Sequence, residues 1–197
     1  MKVIIVGDAC SGKTTILHML QQNGYPVLLE EGWQLIPPKI EGNKLQSNLW
    51  FTRYYFNRER PFHNKDVILE RCLHFQYPFT HAQFQAGKIT MEQRDEALLL
   101  LDTLASAMPL EQDTVAIHLV CSSEHIWERL EARGRGQHTG QLWYWDSLRE
   151  LTERYFSTRC KYYQLDTTTR TPEAVYAEVA AILSQAGFPL SETGSRR

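Results

Sequence analysis

The sequence has no excess of positive charge. Its 21 lysines and arginines face 23 aspartates and glutamates, for a net charge of −2. Beyond short arginine pairs there is no basic patch of the kind a nucleic-acid surface needs. Long hydrophobic runs are missing too. No stretch approaches the roughly 18 apolar residues of a membrane span, and the first residues read as a strand rather than a secretion signal. Cysteine is scarce: Cys10, Cys72, Cys121 and Cys160 form no C-x-x-C pair and lack zinc-ligand spacing. Cys72 and Cys121 lie in or beside strand-like apolar runs, where cysteine acts as a small buried hydrophobe. These absences predict a reducing, cytoplasmic setting with neither nucleic acid nor membrane as partner. Repeats, low-complexity blocks and linkers are also lacking, so 197 residues read as one domain able to close its core without disulfides.

What is present is an alternation of strands and helices. Lys2 to Val6 is a short apolar run followed at once by glycine, a buried strand. Lys13 to Gln22 carries Ile16, Leu17 and Leu20 at helical spacing, and Gly24 ends it. Tyr25 to Leu29, Asp66 to Leu69, Thr114 to Val120 and Tyr162 to Leu165 read as further strands. An aromatic and basic stretch runs from Gln46 to Arg60. Thr90 and Gln93 have capping-box spacing before a helix to about Ala107. Ser122 or Ser123 caps another to about Ala132, and Trp143 to Phe156 is a third. Thr171-Pro172 opens a last helix with Val175, Val179, Ile182 and Leu183 on one face. This order predicts an α/β fold: three α/β/α layers around a five-stranded parallel sheet, with ligands at the strands' carboxyl ends. The domain is expected over residues 1–187, with a flexible tail at 188–197.

The strongest signal is Gly7-Asp8-Ala9-Cys10-Ser11-Gly12-Lys13-Thr14, a full match to G-x-x-x-x-G-K-[ST] between a strand and a helix. Glycines at both ends let backbone N–H groups turn inward onto phosphate oxygens, and the helix adds its positive dipole end. Lys13 is expected to bridge the β- and γ-phosphates and Thr14 to hold Mg²⁺, with Thr15 next in the cradle.

Two more groups of charge fall where such a loop needs them. Glu70 and Arg71 end the third strand, where a carboxylate can bind Mg²⁺ through its waters and an arginine can hold phosphate oxygens. Arg133 and Arg135 lie among Gly134, Gly136 and Gly140, a hinged segment able to bring positive charge onto a transferring phosphoryl group. Arg129 can join them or pair along its own helix.

In this order, the cradle, Glu70-Arg71-Cys72 and Arg133-Gly134-Arg135 resemble the deoxynucleoside kinase family over residues 1 to about 183. The resemblance implies a kinase passing the γ-phosphate of ATP, held with Mg²⁺, to the 5′-hydroxyl of a nucleoside, and a short arginine-bearing lid at about 133–142. It makes Glu31, or failing that Glu30, the general base. Gln46 becomes the residue pairing with the acceptor base, or an ordinary helix-start glutamine. Asp166, in Leu165-Asp166-Thr167-Thr168, is assigned to the donor's adenine side. This chain departs from the family pattern where Glu31-Gly32 replaces Glu-Pro, where Cys72 replaces serine, and where Arg149 stands for a sugar-binding glutamate.

Among the aromatics, Tyr54, Tyr77 and Phe79 are the pocket candidates, and the rest of the Trp50–Tyr55 stripe reads as core. Trp143-Tyr144-Trp145 packs against the lid or against a second subunit, so a homodimer stays open. Arg53, Arg58 and Arg60 keep alive an acceptor that itself carries phosphate, as in a nucleoside monophosphate or other small-molecule kinase. A nucleotide-dependent switch fits less well, because Asn64-Lys65-Asp66 has the wrong spacing and position for guanine recognition.

Overall fold

The computed structural model describes residues 1–132 and 142–189. Among these, five parallel strands, β1 (Lys2–Gly7), β2 (Val27–Leu28), β3 (Val67–Glu70), β4 (Val115–Val120) and β5 (Lys161–Asp166), lie in the order β2-β3-β1-β4-β5. β1 is central, with Val3 opposite Ile68 on one side and Val115 on the other. Every residue of β1, β3 and β4 is buried, which explains their unbroken apolar sequences.

The strand period of two distributes β1 between two cores. Val3 and Ile5 pack on α1 (Lys13–Gln22) and α8 (Pro172–Gln185) through Leu17, Leu20, Val179 and Leu183. Ile4 and Val6 face α4 (Gln76–Gln85) and α7 (Leu142–Ser157) through Ala82, Leu148 and Phe156. This is the expected three-layer architecture. Phe188, just past the expected boundary at 187, is buried in the first core. α4 has no counterpart in the sequence expectation.

Outside the second layer, α3 (Lys44–Glu59) packs on α5 (Met91–Ala107) through Phe51, Tyr55, Leu101 and Ala105. The Thr90–Gln93 capping box forms at the start of α5. A four-residue helix, α2 (Gly32–Leu35), precedes α3, and α6 (Ser123–Ala132) follows β4. No described helix is long and apolar enough to cross a membrane. Cys72 and Cys121 are buried as small hydrophobes.

Glu59 fastens α3 to the segment after β3: its Oε1 accepts the Leu73 N–H at 2.8 Å. Burial pushes its carboxyl up to about 7, although Arg58 and that N–H favour the charge. Below the ordinary value of 4.5, Glu59 is protonated both folded and unfolded. As pH climbs from there to about 7, the unfolded chain loses this proton while the folded one keeps it, so stability falls. Denaturant titrations at pH 5 and pH 8 should show a drop on the order of 2–3 kcal/mol that Glu59→Gln largely removes. An equal drop in the variant would assign it to other groups.

Candidate active site

The turn after β1 is shaped by backbone constraints. A Cβ on Gly7 would meet the Leu119 carbonyl oxygen at 2.2 Å, so only glycine lets the loop leave against β4. Cys10 (φ 61) and Gly12 (φ 91) are left-handed, which curls the loop over the start of α1. The Ser11 hydroxyl donates to the Asp8 carbonyl at 3.0 Å, and Lys13 folds back to donate to the same oxygen at 2.6 Å. Burial, followed by the positive charge of Arg71, lowers the Lys13 ammonium to about 7. Asp8 is 1% exposed. Its carboxylate meets Arg149 of α7 at 3.0 Å, and Arg149 also donates to the Cys121 carbonyl at 2.8 Å. Burial nevertheless raises the Asp8 carboxyl above its ordinary value. The arginine at the place of the sugar-binding glutamate thus ties α7 to the loop.

On the β4–β5 side, Cys10, Gly12, Thr15, Arg129, Thr167 and Arg170 line a cleft of about 240 Å³. Arg129 does not pair along its helix. It donates to the Cys10 carbonyl at 3.0 Å and to the Thr167 and Thr168 carbonyls at 3.0 and 3.1 Å, bracing the loop on the end of β5. Thr167 also donates its hydroxyl to the Ser11 carbonyl at 3.1 Å. Asp166 is adjacent but does not line the cleft. It accepts from the Thr168 N–H at 2.8 Å and the Thr168 hydroxyl at 2.5 Å, bonds that hold its carboxyl below the ordinary range.

The β2–β3 side gathers the charged groups. Thr14 donates its hydroxyl to Glu70 Oε1 at 3.1 Å, and Glu70 Oε2 accepts the Glu30 N–H at 3.1 Å. Glu30 in turn pairs with Arg71 at 3.2 Å, while its other oxygen accepts the Gly32 N–H at 2.5 Å. Contacts therefore run without a gap from the phosphate loop through Glu70 and Glu30 to Arg71. Glu31, the first-named base, is exposed and makes its described contact through its backbone, donating its N–H to the Tyr54 hydroxyl at 3.0 Å. The carboxylate paired with Arg71 is that of Glu30, whose backbone N–H reaches Glu70. Gly32 has no alternative here, because a Cβ would fall 2.5 Å from Phe51 and 2.7 Å from Glu30 Oε1.

Arg71 is left-handed at φ 54, a costly conformation for a side chain of this size. Its N–H donates to the Ile5 carbonyl at 3.0 Å. Arg58 clamps the same turn, donating to the Glu70 and Arg71 carbonyls at 3.1 and 2.9 Å and to the Leu29 carbonyl at 3.3 Å. Arg58 is thus a brace rather than a ligand for an acceptor phosphate. Arg53 and Arg60 are exposed on α3 and just beyond it.

Other candidates fall elsewhere. Gln46 is exposed in the first turn of α3, where its backbone N–H donates to the capping Asn43 side chain at 3.1 Å. Tyr77 faces away from the loop, bonded to Asp102 at 2.6 Å and stacked on Tyr155 at 5.0 Å. Tyr54 stays near the site, stacked on Trp50 at 5.2 Å. Phe79 packs on the second core, where Tyr144 is buried and Trp145 lies against it, while Trp143 is 49% exposed. Arg133, Arg135 and the expected lid lie outside the described residues.

Comparison with known proteins bears on the whole arrangement. No curated protein matches the chain. Among solved structures, the deoxyadenosine kinase from M. mycoides with bound dCTP superposes with a TM-score of 0.76 at 16% identity, covering 94% of this chain and all of that one. The same enzyme with the product dCMP and a flexible dCDP gives 0.75 at equal identity and coverage. YorR protein from Bacillus subtilis, in complex with phosphorylated GDP, gives 0.56 at 16% identity over 95% of this chain and 98% of its own. At such identities these likenesses establish the fold. The model of the family described as deoxynucleoside kinase matches residues 3–178, which includes the phosphate loop, Glu30, Glu70-Arg71 and Arg149, and the chain belongs to the deoxynucleoside kinase family.

Proposed function

We propose that this kinase transfers the γ-phosphate of ATP to the 5′-hydroxyl of a deoxynucleoside, with Glu30 as the general base. The observation that carries this is the run of contacts Thr14–Glu70–Glu30–Arg71, which sets an acid–base pair beside the phosphate loop. The Glu30 carboxylate takes the acceptor proton as the oxygen attacks, and Arg71 holds that carboxylate in line. Lys13 leaves the Asp8 carbonyl for the β- and γ-phosphates, and the loop N–H groups hold the remaining oxygens.

Thr14 and Glu70 offer hard oxygen donors 3.1 Å apart, which suits Mg²⁺, an ion that keeps most of its waters and takes phosphate oxygens. Among the described residues no group of three or more His, Cys, Asp or Glu is placed to hold a metal unaided. When bound, Mg²⁺ would neutralise charge on the phosphates. The adenine belongs in the cleft beside Arg129 and Arg170. Arg133 and Arg135 remain the proposed source of lid charge, and a cytoplasmic location suits the buried thiols.

Deoxynucleosides and nucleoside monophosphates offered separately with ATP and Mg²⁺ provide the test. Deoxynucleosides should be phosphorylated with kcat/KM at least about a hundredfold higher, since Arg71 is engaged by Glu30 and Arg58 by backbone carbonyls rather than held for an acceptor phosphate. Faster turnover of monophosphates would overturn the assignment.

A further inference from the structure

We infer that Arg149 is a positioning residue for the phosphate donor: it neutralises Asp8, an acid set into the phosphate loop, and so keeps that loop receptive to a triphosphate. This rests on the ATP donor proposed above. An acid is out of place at position 8. The four residues between the glycines of G-x-x-x-x-G-K-[ST] are free in type, and they serve by turning their N–H groups onto phosphate oxygens. A carboxylate among them repels the same oxygens. Asp8 is only 1% exposed, so water screens that repulsion little.

The compensating cation arrives from 141 residues away in sequence. Arg149 directs Nε and Nη2 at Asp8 Oδ2, at 3.3 and 3.0 Å. Its other bonds fix it in that pose. Nη2 also donates to the Cys121 carbonyl at 2.8 Å, just past β4, and Nη1 donates to Asp146 Oδ1 at 3.1 Å. Asp146, one turn earlier on α7, accepts the Ser123 hydroxyl at 2.7 Å through the same oxygen. The guanidinium is thus held from the loop, from the end of β4 and from its own helix.

The charges around Asp8 make the arginine decisive. Among the described residues, Lys13 is the other cation acting on Asp8, and Asp146 is the acid. Lys13 is assigned to the β- and γ-phosphates once the donor binds, which leaves Arg149 as the counter-ion. His118 of β4 lies near Arg149 and Lys13, where burial lowers it to about 3 and keeps it neutral. Tyr144 of α7 lies near Asp8, and burial keeps its phenol protonated. Neither can replace the arginine.

The test is the dissociation constant of Mg·ATP, measured by calorimetry on Arg149→Met and on Arg149→Met combined with Asp8→Asn. At about pH 8 the single variant should bind about tenfold or more weakly than the parent, and adding Asp8→Asn should recover most of that loss. Lowering the pH protonates the unpaired Asp8 and removes its charge, so the two variants should converge toward about pH 5.5. Lys13 and the nucleotide titrate in both and cancel from the comparison. A loop merely fastened to α7 would gain nothing from Asp8→Asn and show no convergence. If Arg149→Met folds poorly, Asp8→Asn alone carries the test: with Arg149 in place it should tighten Mg·ATP binding about threefold or more. Three results would each overturn the inference: Arg149→Met binding within about threefold of the parent, a double variant as weak as the single, or Asp8→Asn binding no better than the parent. All three leave the ATP donor standing, whereas a parent without affinity for Mg·ATP would remove both.

Discussion

Glu30→Gln lowers kcat by about 10²–10⁴-fold, the usual contribution of a positioned general base, while Glu31→Gln stays within about threefold of the parent because an exposed side chain makes no contact with the reacting groups. The amide at position 30 can still accept the Gly32 N–H that Glu30 Oε1 accepts at 2.5 Å, so the local turn survives. What disappears is the negative charge opposite Arg71 and the site for the acceptor's proton. Binding of ATP, measured by calorimetry, should change little, because the phosphate loop is not altered. That separation matters: a loss confined to kcat marks an interaction made in the transition state. If instead Glu31→Gln were the inactive variant, the pairing of Glu30 with Arg71 would be a structural ion pair, and the base would have to swing in from the surface.

The choice between adjacent glutamates shows where the sequence stops informing. Consecutive residues at a strand's end point to opposite sides, so both Glu30 and Glu31 satisfy the same spacing from the phosphate loop. Register decides: Leu28 sits opposite Leu69, which brings the Glu30 N–H to Glu70 at 3.1 Å. The bulk of Phe51 against Gly32 then fixes the turn. None of that is local in sequence.

By contrast, the sheet and the phosphate loop were legible because their signals are local and continuous: unbroken apolar runs such as Lys2 to Val6, and a motif whose glycines are needed for left-handed turns. α4 was not legible for a physical reason. Its buried face is polar at Gln76, Thr80 and Gln83, so apolar periodicity fails there, and Pro78 near its start reads as a breaker. Gln46 was selected for its distance from Glu70, and the buried amide is Asn48, half a turn further on. Arg58 and Arg129 both spend their charge on carbonyl oxygens of distant loops, partners that appear only once the chain has folded.

Lys13→Met should remove phosphate transfer by about 10²–10³-fold or more, the scale for deleting one preorganised donor to developing charge, without unfolding the protein. The side chain is 6% exposed and its described hydrogen bond goes to the Asp8 carbonyl, so replacing a desolvated amine by a thioether of similar length costs little. A second readout isolates the charge itself. Burial and Arg71 hold the ammonium down to about 7, so the empty loop should release the Lys13 proton in the neutral range rather than far above it. A triphosphate brings negative charge against it and restores the protonated form, so binding of Mg·ATP takes up a proton. Uptake should be smallest at pH 6 and grow toward one proton as pH rises through 8. Calorimetry in buffers of different ionisation enthalpy, taken as the difference between parent and Lys13→Met, measures it directly. A difference that stays at zero across that range would mean Lys13 is fully charged before the nucleotide arrives, and its bond to the Asp8 carbonyl would then be that of an ammonium rather than of a partly neutral amine.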